Sequence, residues 1–94
     1  MPLFVISFTD KPDSQALRAA NREAHLAYMA ASGLARLAGP YLNEGGEPIG
    51  SLIIVEAEDE AAAKALQRGD PYAEAGLPDR VEVRPWRCTV GQMS

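Results

Sequence analysis

The sequence predicts an α+β protein built on a four-stranded antiparallel sheet with two helices on one face. Three observations carry this. Runs rich in β-branched and aromatic residues read as strands at 3–9, 34–42, 51–58 and 79–88. Segments with helical spacing and recognisable ends lie between them, from Asp13 to Ser32 and over 59–69. The resulting order, β-α-β-β-α-β, is that of the ferredoxin-like split βαβ arrangement.

The first strand, LFVISFT, sends Phe4, Ile6 and Phe8 to one face and Leu3, Val5 and Ser7 to the other. Both sets are largely apolar, so both faces are expected to be covered: one by helices, the other by a second subunit. DKPDSQ supplies a turn and an N-cap, with Asp13 the better candidate and Ser14 next. In the helix that follows, Leu17, Ala20, Ala24, Tyr28 and Ala31 recur at steps of three and four and form the expected buried stripe. Gly33 is a natural stop.

The second strand, LARLAGPYL, contains Gly39-Pro40, a pair suited to an edge strand or bulge. NEGGEPIG reads as a hairpin-type connection into SLIIVEAE, the third strand. Asp59 caps a short alanine-rich helix. In RGDPYAEAGLP, Asp70 caps a one-turn helix, Pro71 takes its first position and Gly76 ends it. DRVEVRPWRC is the fourth strand, with Val81 and Val83 on one face. A single domain of 94 residues is expected, its core spanning about 2–88 and its tail, 89–94, free to fray.

Composition bounds the function. A net charge of −4 argues against general affinity for phosphate backbones, and FVISF and SLIIV lack the basic and aromatic pattern of RNA-binding strands. Cys88 is the sole cysteine, which leaves no internal disulfide or multi-cysteine zinc site and fits a reducing cytoplasm. One histidine and no close carboxylate cluster fall short of a metal-ligand set. The N-terminal run lacks the features of a signal peptide, and no segment approaches membrane-spanning length. GGEPIGS lacks the strand–loop–helix setting and Lys-Ser/Thr ending of a phosphate loop.

The predicted topology gathers distant segments at one end of the sheet: the start of helix one, the Gly-rich connection, the start of strand three and the end of helix two. His25 lies about 100° from the middle of the apolar stripe, on a flank shared with Arg18 and Arg22. One reading is structural, a core-border histidine bonded to a neighbour. The other is a general acid or base, for which imidazole is suited near neutral pH. Asp70 is within topological reach as a carboxylate partner, and its two oxygens allow capping and pairing together. Arg22 is either solvated or an anion-binding fork, Ser51 a hydrogen-bonding hydroxyl, and Tyr72 a core or substrate-facing ring.

Taken in order, Arg22-x-x-His25, AGP at 38–40, Gly50-Ser51, DPYAEAGL at 70–77 and VEVRPW at 81–86 resemble the YciI-like family, the YCII-related domain. The resemblance covers almost the whole chain, to about Trp86. It implies a ferredoxin-like subunit paired into a dimeric α+β barrel, and His25 and Asp70 as the family's catalytic His–Asp pair. Family activities include dehydrochlorination of a chlorinated hydroxyhydroquinone, and related barrels include muconolactone isomerase. The expectation is therefore a cofactor-free lyase or isomerase acting on a small phenolic or enol-containing molecule, anionic or neutral, held by Arg22, Ser51 and Tyr72. The alternative is a non-catalytic binding or sensing domain on the same dimer. This chain departs from the family chiefly in its compact YLNEGGEPI connection, which bears on substrate size more than on fold.

Overall fold

The computed structural model describes residues 1–91. Four antiparallel strands form one sheet in the order β2-β3-β1-β4, where β1 is Leu3–Asp10, β2 Ala35–Leu42, β3 Pro48–Glu56 and β4 Pro78–Trp86. Helices α1 (Gln15–Ser32) and α2 (Glu60–Arg68) and the single turn α3 (Pro71–Glu74) complete the chain. This is the expected ferredoxin-like α+β fold, with strand three starting earlier and strand four ending sooner than the sequence pattern implies. Of the tail expected at 89–94, residues 92–94 lie outside the described residues, and 89–91 form no strand or helix.

Alternation along the central strands sets the two faces. Phe4, Ile6 and Phe8 pair across the sheet with Val55, Ile53 and Ser51, so all six share a face. Met29 of α1 and Ala63 and Leu66 of α2 pack with Phe4, Ile6, Ile53 and Val55 into the main core, while Phe8 packs separately with Tyr72 and Leu77. On the opposite face, Leu3, Val5 and Ser7 register with Glu56, Ile54 and Leu52, while α1 and α2 pack against the other face.

Local chemistry explains most of the ends. Gly33 closes α1 in the left-handed conformation (φ 68°), and Asp59 and Asp70 each accept a backbone N–H of the helix they precede. Asn43 Oδ1 accepts from the backbone N–H of both Gly45 and Glu47, tying the hairpin between β2 and β3. Gly39-Pro40 falls in β2, an edge strand, where a missing N–H can face solvent.

Two expectations are corrected. Asp13 is not the N-cap of α1: it takes φ 56° in the turn, a conformation Asp tolerates, and Ser14 stands at the cap without a side-chain capping bond. The buried stripe is also displaced. Leu17, Ala20, Ala24 and Ala31 are exposed and only Tyr28 is half-buried, whereas Arg18, His25 and Met29 face inward. Leu17, Ala24 and the half-buried Tyr28 are each followed directly by a buried residue, a rotation of about 100°. Alanines contribute little burial energy, so polar side chains with internal partners decide which face turns in.

Candidate active site

Arg18 and His25 stand two turns apart on α1 and so project from the same side of the helix. Both are buried, at 7% and 6% exposure. Such groups are tolerated inside a protein only with hydrogen-bond partners, and each has one supplied by a different element.

His25 meets Asp70, which is 1% exposed. Nδ1 lies 2.9 Å from each Asp70 oxygen, and Asp70 Oδ1 also accepts the Tyr72 backbone N–H at 2.9 Å. The capping and pairing roles are therefore held by one side chain. An ionised carboxylate can only accept, so the bond calls for a proton on Nδ1, and the neutral ring in that tautomer carries its lone pair on Nε2. Nε2 has no protein partner among the described residues, and His25 borders the cavity described below.

Tyr72 locks this pair in place. Its ring stacks on His25 with centroids 4.1 Å apart and planes 12° from parallel, and it meets Phe8 edge to face at 6.3 Å. The Arg18 guanidinium carbon lies 4.7 Å from the same ring's centroid. Burial pushes the Tyr72 phenol above its ordinary pKa; Arg18 opposes the rise and Asp70 adds to it.

A second polar network lies two helical turns away along α1. Arg18 Nε and Nη2 donate to Asp10 Oδ2 and Oδ1 at 2.7 and 3.1 Å, the bidentate arrangement that suits guanidinium and carboxylate. Nη2 also donates to Ser51 Oγ at 2.9 Å. Asp10 ends β1, Ser51 lies within β3, and Arg18 begins α1, so the network ties three elements together.

Both networks border one cavity of about 320 Å³ between α1 and the β2–β3 half of the sheet. His25, Ser51, Tyr72 and Arg22 all contribute to its wall, so the structure brings together the five residues singled out in the sequence, Asp70 through His25. Arg22 is exposed and makes no hydrogen bond or ion pair among the described residues, and Leu26 and Pro40 add apolar surface. The Asp10–Arg18 pair is the part of the site that the sequence reading leaves out. Its only signal in the sequence was the flank that Arg18 shares with His25, which does not name Asp10 as the partner. No cluster of three or more His, Cys, Asp or Glu side chains placed for a metal occurs among the described residues. No helix among them is long and apolar enough to cross a membrane.

Comparison with known proteins points one way. Residues 2–87 match the model of the YCII-related domain. Protein YciI of Escherichia coli O6:H1 is 37% identical over 94 residues, a match spanning 90% of this chain and 96% of the relative, and Protein YciI of Shigella flexneri matches equally. Among solved structures, the 5-chloro-2-hydroxyhydroquinone dehydrochlorinase TftG of Burkholderia phenoliruptrix AC1100, in complex with 2,5-dihydroxybenzoquinone, superimposes with a TM-score of 0.82 at 32% identity, covering 90% of this chain and 93% of that one. Rv0793 of Mycobacterium tuberculosis shares the fold alone, at a TM-score of 0.57 and 20% identity over 97% of this chain and 98% of its own.

Proposed function

The chain belongs to the YCII-related domain family, and on that premise we propose that it is a cofactor-free enzyme that moves a proton on a small phenolic or enol-containing molecule. The observation that carries the proposal is the His25–Asp70 pair, with Nδ1 bonded to the carboxylate, Nε2 without a protein partner among the described residues, and His25 in the cavity wall. Asp70 fixes the tautomer and ring orientation, and Nε2 takes a proton from the substrate and returns it to another atom or releases it with a leaving group. Arg22, Ser51 and Tyr72 hold the substrate's polar groups and ring.

Three features support this reading over a purely structural histidine. The cavity wall combines apolar groups with a few hydrogen-bonding side chains, as small-molecule sites generally do. The Tyr72 phenol stays protonated, since burial raises its pKa, and is thus a donor. The dehydrochlorinase to which the chain is similar was crystallised with a dihydroxybenzoquinone, a planar ring bearing oxygens of the kind this cavity suits.

The test is a panel of chlorinated and unchlorinated hydroxyhydroquinones and small unsaturated lactones, assayed with wild type, His25→Ala and Asp70→Asn. General acid–base catalysis is worth roughly a hundredfold to ten-thousandfold, so His25→Ala is expected to lower kcat by at least about a hundredfold. Asp70→Asn is expected to lower it less, with KM little changed. Ligand binding without turnover in the wild type, unaffected by either substitution, would instead assign a binding or sensing domain. We propose further that two subunits pair through the sheet face opposite α1 and α2, leaving the cavity on the other face of each.

A further inference from the structure

Arginine carries five N–H donors, and Arg18 uses only Nε and Nη2 on Asp10 and Ser51. Nη1 has no protein partner among the described residues, yet no buried side-chain donor there is left unsatisfied, so Nη1 reaches accessible space. Arg18 borders the same cavity as His25. Ser51 Oγ accepts from Arg18, and its own O–H has no protein acceptor among the described residues. Two donors, one cationic and one neutral, are thus left for a ligand from side chains that are themselves more than nine-tenths buried.

Charge decides what kind of ligand. Asp10 already balances Arg18 through two hydrogen bonds. The pair is net neutral, which suits an oxygen that acquires charge during reaction better than a polyanion such as phosphate. The donors are also fixed and desolvated beforehand, the condition under which such groups stabilise developing charge most. The two helical turns between Arg18 and His25 amount to about 10 Å of rise. One ring bearing oxygens at opposite ends, with a hydrogen bond at each, spans that distance.

We propose that Arg18 Nη1 and Ser51 Oγ form an oxyanion site for the phenolate or enolate oxygen of a planar substrate, and that Asp10 is the positioning residue that holds Arg18 there. Its coupling to chemistry rests on the acid–base reading above. When Nε2 of His25 removes a proton from carbon, the C–H electron pair passes through the conjugated system to the oxygen at Arg18 and Ser51. Return of the proton at a second carbon restores the carbonyl and completes an isomerisation.

The probe is 4-nitrophenol, whose ionised form absorbs in the visible, titrated with protein at several pH values. Wild-type protein is expected to favour the bound phenolate by about tenfold or more over the free dye, read as a lowered apparent pKa of the dye. Ser51→Ala should reduce the shift. Arg18→Met alone strands Asp10 as a buried unpaired carboxylate, so the deciding variant is Arg18→Met with Asp10→Asn, its fold checked by circular dichroism; it should abolish the shift. A dye whose ionisation is unchanged by wild-type protein, or a shift that survives in the double variant, overturns the proposal. His25→Asn separates the two readings, because it should leave the dye shift intact while removing any turnover. A preserved shift with no turnover in the wild type would sink the acid–base reading alone.

Discussion

At the scale of single residues, the site depends on polar groups that burial makes expensive unless they are paired. Asp70 was legible because Asp-Pro at a helix start is a strong local signal, and His25 because the topology brings α1 alongside it. Arg18 and Asp10 were not, since a buried ion pair and a solvated one read alike in sequence: only the fold decides whether a charge finds its partner. Tyr72 gives this scale its pH prediction. Its folded-state pKa is raised, chiefly by burial, above that of an unfolded tyrosine. The neutral ring is therefore favoured by folding, and its contribution is fully present below about pH 10 and lost as the pH rises through the folded value. Thermal unfolding between pH 8 and 12 is expected to show a steep alkaline loss that Tyr72→Phe flattens. An equally steep loss in Tyr72→Phe would place the titrating group elsewhere, Tyr28 being the next candidate because its pKa is also raised by burial.

At the scale of elements, what mattered was which face of α1 turns inward. The spacing of Leu17, Ala20 and Ala24 identified a helix correctly but set its rotation wrongly, because small side chains mark periodicity without anchoring it. The rotation is anchored instead by contacts to the α2–α3 junction. Tyr28 Oη donates to the Leu66 carbonyl at 2.7 Å, and a Cβ on Gly69 would lie 2.6 Å from that same hydroxyl. Gly69 has φ −85°, which any residue adopts, so its role is to permit close approach rather than an unusual backbone. Gly69→Ala should then destabilise by about 1–3 kcal/mol through overpacking, and Tyr28→Phe in the same chain should recover part of that loss. Chemical denaturation of the double-mutant cycle measures this; strict additivity would deny the contact. Gly50→Ala should cost more, because the added Cβ would lie 2.4 Å from the backbone oxygen of Phe8, which cannot move without disturbing β1.

At the scale of the whole molecule, the two-sided first strand is the feature with the widest consequence. Leu3 and Val5 gave an apolar second face in the sequence, and the structure packs α1 and α2 against the other face. Leu37, Tyr41, Leu52 and Trp86 are each more than a third exposed, and their register places them on this same side. Ile54 lies among them, already buried. Contiguous apolar surface of this kind marks an interaction surface more often than a solvated one. What a single chain could not reveal is the occupant, since the complement of a symmetric face is supplied by another copy. If that occupant is a second subunit, Leu52→Glu combined with Leu37→Glu buries four unpaired carboxylates at the two-fold contact and should convert a dimer to a monomer in sedimentation velocity. The His25–Asp70 pair and the cavity lie on the opposite face, so binding of a phenolic ligand per chain should survive dissociation in the double variant. A wild type that sediments as a monomer at every concentration would instead leave this apolar face for a different protein to cover.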